Sequence, residues 1–183
     1  MNQPLNRLRN TTVYVAGPVE AVSDGGADWR DAITGPLHQM GIKVWNPLIK
    51  PNWVPKYDAS DQYKDKEEII DAMNNGIFPI DAHKRLDNLR NNCLRLADAC
   101  DFIICKLGGK TVGTFEEISI KGGKPVLFIG EFDSTWRYVQ FFQQDKFFFK
   151  DINDIVGYLI KVDNGAQQVD PLTWIFLDNN WPG

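Results

Sequence analysis

The stretch Gly108-Gly109-Lys110-Thr111-Val112-Gly113-Thr114-Phe115-Glu116-Glu117-Ile118 sets glycines and two threonines in front of paired acids. It follows an apolar run and leads into helix-forming residues, so it reads as a strand-end loop that opens a helix. Glycines let a ligand approach the backbone closely, and the free N–H groups of a helix start favour a negatively charged oxygen. Glu117 then falls in the first helical turn, beside whatever the loop holds. A carboxylate placed there could attack the anomeric carbon of a sugar or stabilise positive charge developing on it, the logic of retaining glycosidases. The same two acids could equally serve only to complement the helix dipole, a common structural use.

A second group of residues bears on that choice. Tyr14-Val15-Ala16-Gly17-Pro18 is followed by Asp24-Gly25-Gly26 and Asp28-Trp29-Arg30. The first of these reads as a short buried strand, Val13 to Ala16, stopped by Gly17-Pro18, which is where a parallel sheet places ligands.

Other elements must position these two groups. Trp29, Ile33, Leu37 and Met40 recur at helical spacing, and Gly41 ends that helix ahead of a second strand, Ile42 to Trp45. Asn46 to Asp61 reads as a long loop or lid, and Lys64 to Met73 as a surface helix. Asp81 to Ala99 carries Leu86, Leu89, Cys93, Leu96 and Ala97 on one helical face and leads into the apolar strand Phe102 to Cys105. A helix from about Thr114 to Lys121, the strand Val126 to Ile129 and a helix from Ile152 to Ile160 follow, with an aromatic run at Phe147-Phe148-Phe149 and a tail ending Trp174-Ile175-Phe176-Leu177. Strands alternating with helices predict an α/β, Rossmann-like (flavodoxin-like), doubly wound parallel sheet. At 183 residues the chain suits one domain, 1–183, with a core over 12–130 and a C-terminal helix and tail over 131–183. Strand order is not legible from spacing.

The ordered set of motifs resembles the nucleoside 2-deoxyribosyltransferase family, including the related deoxynucleoside 5′-monophosphate N-hydrolases. The resemblance runs over roughly 12–130: a strand ending Ala16-Gly17-Pro18, the Trp29-Arg30 helix, Asn46-Pro47-Leu48 after the second strand, the strand Cys100-Asp101-Phe102-Ile103-Ile104, Gly113-Thr114-Phe115-Glu116-Glu117-Ile118, and Gly123-Lys124-Pro125-Val126. It implies that Glu117, four residues after Gly113, is a nucleophile forming a glycosyl-enzyme ester, and that Tyr14 orients it. Tyr14 is also an ordinary residue type for a strand. The resemblance further implies substrate contacts from Ala16, Gly17, Pro18, Trp29, Cys93, Asp98, Thr111, Gly113 and Thr114, and no cofactor.

Two positions depart from the family pattern. Counting eight residues back from Asp101, where the family usually carries an aspartate that supports positioning and proton transfer, stands Cys93. A thiol does that work poorly unless its pKa is depressed. Asp87 or Asp98 are candidate replacements, and loss of catalysis is the other possibility. Thr111, two residues before Gly113, stands where transferases often carry a carboxylate; a hydroxyl tolerates a phosphate there and tilts the substrate toward a 5′-monophosphate. Arg30 and Lys110 could add positive charge, though each more often is a solvated surface residue. Trp45 and Trp53 could stack on a base, or simply cover core.

Composition narrows the partners. A net charge of −4 and a pI near 5.2 argue against a nucleic-acid polymer but leave room for a single nucleotide, and the resemblance implies a small nucleoside or nucleotide as the ligand. Cys93, Cys100 and Cys105 fit reduced thiols of a cytoplasmic protein, His38 and His83 lack partners at metal-ligand spacing, and no segment reaches the ~18 apolar residues of a membrane span. The resemblance implies a homo-oligomer, in whose interface the aromatic tail through Trp174 and Trp181 could be buried. Two alternatives stay open. One is a nucleotide N-hydrolase or phosphoribohydrolase, suggested by Gly108-Gly109 ahead of Gly113-Thr114 with spacing off by one; the other is a non-catalytic nucleotide-binding sensor, marked by Cys93.

Overall fold

The computed structural model describes residues 6–19, 24–49, 59–108, 112–120, 123–131 and 147–177. Four apolar runs make its principal strands: β1 (Thr12–Ala16), β2 (Lys43–Trp45), β3 (Phe102–Lys106) and β4 (Val126–Ile129). β5 (Phe148–Phe149) completes a sheet with the order β2-β1-β3-β4-β5, every neighbouring pair parallel. Strands buried on both faces read as near-continuous apolar runs, and Phe-Ile-Ile-Cys in β3 and Val-Leu-Phe-Ile in β4 do so. The chain thus forms an α/β, Rossmann-like, doubly wound parallel sheet.

Alternation along the strands separates two cores. Val13, Val15, Phe102, Ile104, Leu127 and Ile129 face α1 (Ala27–Gln39) and α5 (Ile152–Asp163), which contribute Ile33, Leu37, Ile155, Leu159 and Val162. Tyr14, Ala16, Ile103, Cys105, Val126 and Phe128 face the other way, against Ala97 of α3 (Ile80–Ala99) and Ile118 of α4 (Val112–Ser119). A fully buried Ile or Leu contributes about 1.5–3 kcal/mol relative to its exposed state, so these two layers dominate the stability. α2 (Ala59–Asn74) lies outside α3, joined to it by the Arg85 guanidinium, which donates from two nitrogens to buried Asp65.

Local signals explain where the helices begin and end. The Asp24 carboxylate accepts from the Gly26 and Asp28 amides at 3.1 and 2.9 Å, which fixes the entry to α1. At its other end Gly41 takes φ 75°, with Gly41 N–H donating to His38 O and Ile42 N–H to Leu37 O. That pattern closes a helix and turns the chain into the next strand. Asp151 caps α5 by accepting from the Asp154 amide at 3.0 Å.

Three expectations are corrected here. The Phe147–Phe149 run supplies the fifth strand, so the sheet draws an element from beyond residue 130. Trp174 is 1% exposed and packs inside its own chain against Phe102, Tyr158 and Phe176, not in an interface with another copy. Arg30, read as a surface cation, is fully buried. Trp53, Trp181 and most of the long loop lie outside the described residues.

Candidate functional site

The order of the strands creates the site. From β1 the chain passes through α1 to β2 on one side, then returns across to β3 on the other side of β1. Where the order reverses, the segments leaving the two strands diverge and leave room at their carboxyl ends. Gly17-Pro18 leaves β1 there, and Leu107-Gly108 leaves β3 beside it; a Cβ on Gly108 would stand 4.0 Å from Pro18 Cγ. α4 begins just after the second of these segments.

Tyr14 and Glu117 meet at this place. The Tyr14 hydroxyl donates to Glu117 Oε1 at 2.7 Å. Tyr14 is fully buried, and burial, Glu117 and Cys93 together hold its phenol well above its ordinary pKa of 10.0. The proton therefore stays on the tyrosine, which makes Tyr14 the donor and Glu117 the acceptor. Burial pushes the Glu117 carboxyl up to about 7; the Tyr14 hydrogen bond and the Arg30 charge oppose that rise, and neighbouring Glu116 adds to it. A carboxyl poised near neutrality can act as an acid, a base or a nucleophile.

Glu116 has a different fate. It points to α3, where Arg90 donates to it from Nε and one terminal nitrogen at 2.7 and 2.9 Å, in an exposed pair that lowers its pKa. It ties α4 to α3, while Glu117 faces inward.

The remaining sequence-predicted residues divide by position. Cys93 packs on the Tyr14 side of the sheet and interacts with the Tyr14 phenol, so the thiol stands beside the pair. Ala16, Gly17 and Pro18 are buried at the end of β1. Trp29 lies underneath them: a Cβ on Gly17 would come 3.0 Å from Trp29 Cζ2, so the indole supports the loop from the core. Gly113 is exposed in the first turn of α4 with open space around it, and Thr114 is buried behind it. Asp98 does not join the group. It is exposed near the end of α3 that leads into β3, with its carbonyl bonded by Lys124 Nζ, at the amino ends of the strands and so away from the site. Asp87 is likewise exposed, near Arg90. Thr111 and Lys110 lie outside the described residues.

Arg30, which the sequence offers either as a source of positive charge or as a solvated surface residue, is buried under the end of β1. Arg30 Nε donates to Val15 O at 3.2 Å, Nη1 to Gly26 O at 2.7 Å and Pro18 O at 3.5 Å, and Nη2 to Gly17 O at 2.9 Å. Its guanidinium also lies over the Trp29 ring, 4.7 Å from the centroid. The signal was present in the Gly25-Gly26 turn followed by Trp29-Arg30, but it acquires meaning only once α1 is docked below the end of β1.

The two other thiols are chemically quiet. Burial raises Cys100 to about 11 and pushes Cys105 still higher, and a thiol that stays protonated is a weak nucleophile. Among the described residues no cluster of His, Cys, Asp or Glu could hold a metal ion, and no helix is long and apolar enough to cross a membrane. Comparison with protein-family models finds no match to this chain, and no curated protein matches it.

Proposed function

We propose that this chain cleaves or transfers at the N-glycosidic bond of a deoxynucleoside or deoxynucleoside 5′-monophosphate, with Glu117 as the nucleophile. The observation that carries the reading is the Tyr14 hydroxyl on Glu117 Oε1 at 2.7 Å, at the carboxyl ends of β1 and β3 where the strand order reverses. Tyr14 holds one carboxylate oxygen, and the reading assigns the other, Oε2, to the reaction.

Glu117 Oε2 attacks C1′ of the sugar as the C1′–N bond breaks. The bonding pair departs with the base, which takes up a proton, and a glycosyl ester of Glu117 remains. Attack at C1′ by water then frees the sugar, whereas attack by a second base returns a new nucleoside; in either case Glu117 regains its carboxylate. Tyr14 keeps Glu117 oriented through both steps. Thr111, a hydroxyl in place of a carboxylate, favours a 5′-phosphate on the substrate.

Cys93 favours a second reading, a nucleotide-binding sensor, because it stands beside Tyr14 where a carboxylate would support proton transfer. Turnover separates the two. Incubation with a panel of deoxynucleosides and their monophosphates, with and without a free acceptor base, should release or exchange base with the unmodified protein and with Glu116→Gln, and not with Glu117→Ala. A ligand that raises the melting temperature without any base release selects the sensor instead.

The same reading expects a cytoplasmic homo-oligomer. Ile70, Met73, Ile77, Phe78 and Ile80, each more than half exposed over the α2–α3 connection, are the apolar surface that would support self-association. Sedimentation of the purified protein tests it, and a monomer at all concentrations would refute it.

A further inference from the structure

Trp29, Trp45 and Trp174 are the tryptophans among the described residues, and two of them are occupied within the chain. Trp29 carries the Arg30 guanidinium over its ring and supports Gly17 from below, and Trp174 packs its ring against Phe102, Tyr158 and Phe176. Trp45 differs from both. It is half-buried, and among the described residues no ring or cation lies against its indole.

The sheet sets the place of Trp45. It is the last residue of β2, and in the β1–β2 register it is the Cα partner of Tyr14. Neighbouring strands run about 4.8 Å apart, and successive side chains alternate between the two faces. Trp45 packs against the core layer that contains Tyr14, Ala16 and Cys105, the face on which Tyr14 meets Glu117. Directly after it the chain turns: the buried Asn46 side chain accepts from the Leu48 amide at 2.9 Å, and the Ile49 amide donates to Asn46 O at 3.0 Å. The turn ends the strand and holds the indole at its carboxyl end, where a parallel sheet receives ligands.

Direction matters for the chemistry. α4, which carries Glu117, packs over β1 and β3, whereas β2 flanks β1 on its other side. In displacement at C1′ the attacking oxygen and the departing nitrogen stand on opposite sides of the carbon, so a sugar attacked by Glu117 directs its base away from α4. We propose that Trp45 forms the base subsite: with C1′ held at the Tyr14–Glu117 pair, the base extends from β1 toward β2 and lies flat on the indole. The position of C1′ rests on the glycosidic reading of Glu117; the affinity of the indole for a planar nitrogen heterocycle is measured without turnover. Stacking accepts any base, because every base has a π-face, so this subsite recognises the class and leaves the choice among bases to other groups.

The test is calorimetric binding of adenine, hypoxanthine, cytosine, thymine and 2-deoxyribose 5-phosphate to the unmodified protein, Trp45→Phe and Trp45→Leu. Trp45→Leu should weaken the tightest base about tenfold or more, the order on which one base–aromatic stack acts, and Trp45→Phe, which keeps a ring, should recover most of it. The sugar phosphate should bind all three proteins within about twofold of one another, since it makes no stack. With a substrate that turns over, Trp45→Leu should raise KM about tenfold and lower kcat less, because the stack is made before and during the reaction alike. If Trp45→Leu does not fold, the unmodified protein decides: the Trp45 indole N–H resonance, assigned by its loss in Trp45→Phe, must move when base is added. Base affinity unchanged in folded Trp45→Leu, equal weakening of base and sugar phosphate, or an indole resonance indifferent to base overturns the inference. Trp45-dependent base binding in a protein that releases no base would keep the subsite and discard the glycosidic reading, whereas base release with a KM indifferent to Trp45→Leu would keep that reading and discard the subsite.

Discussion

The Tyr14 hydroxyl donates to Glu117 Oε1 at 2.7 Å, joining the middle of β1 to α4 across 103 residues of sequence. The bond lowers the Glu117 pKa, so its removal should leave a carboxyl that ionises later. Tyr14→Phe keeps the ring in its buried place and deletes only the donor. A hydrogen bond to an ionised group contributes about 1.5–3 kcal/mol, which corresponds to roughly a tenfold or greater loss of kcat/KM at neutral pH. The acidic limb of the pH profile should also move up, and much of the loss should be recovered in alkaline buffer. An equal loss at every pH would mean that Tyr14 acts in some other way.

Glu117 also makes stability depend on pH. Its folded pKa, about 7, lies above the ordinary 4.5, so between those values the folded state binds more protons than the unfolded state. Stability contributed by this group is therefore complete below the ordinary value and is lost as pH rises through about 7. Glu117→Gln keeps an acceptor for Tyr14 and cannot ionise. Melting curves should nearly coincide in acid, and the variant should be more stable by on the order of 1–3 kcal/mol at about pH 8. A difference independent of pH would contradict the raised pKa.

Two glycines should respond in opposite ways. Gly26 has φ 76°, and a Cβ there would collide with Pro18 O and Arg30 Nη1. Gly26→Ala combines a left-handed backbone with a steric clash against the Arg30 fork, and should cost about 2–4 kcal/mol in chemical denaturation. Gly113 is helical and exposed, with nothing within 4 Å of an added Cβ. Gly113→Ala should be neutral or stabilising by up to about 1 kcal/mol. If substrate approaches the backbone at this point, KM should rise although the fold is intact.

Trp174 closes one of the two cores, with its ring tilted against those of Phe102, Tyr158 and Phe176. Its replacement by alanine leaves a large void and should cost about 3–5 kcal/mol, measured by denaturant unfolding. Because the ring is buried within its own chain, that cost should not depend on protein concentration.

Much of this arrangement is written locally, and some of it is not. The apolar runs of β3 and β4, the spacing of Trp29, Ile33 and Leu37, and the stop at Gly41 are each readable from a few neighbouring residues. β5 is two residues long, below the length at which alternation can be seen, and it pairs only because β4 offers an edge. The meeting of Tyr14 with Glu117 needs the adjacency of β1 and β3, a property of strand order that spacing does not encode. Arg30 misleads for the opposite reason. Its residue type predicts solvent, and only the strand-end carbonyls that converge on it make burial tolerable.

The most direct measurement is base release from deoxynucleosides and deoxynucleoside 5′-monophosphates by the unmodified protein, set against Glu117→Ala, with intact-protein mass spectrometry of the reaction quenched in acid. Glu117 as nucleophile predicts release that disappears in the variant, and a mass increase equal to the sugar, or sugar phosphate, less one water, that maps to the peptide containing Glu117. Release that persists in Glu117→Ala, or no release from any substrate that raises the melting temperature, would contradict it.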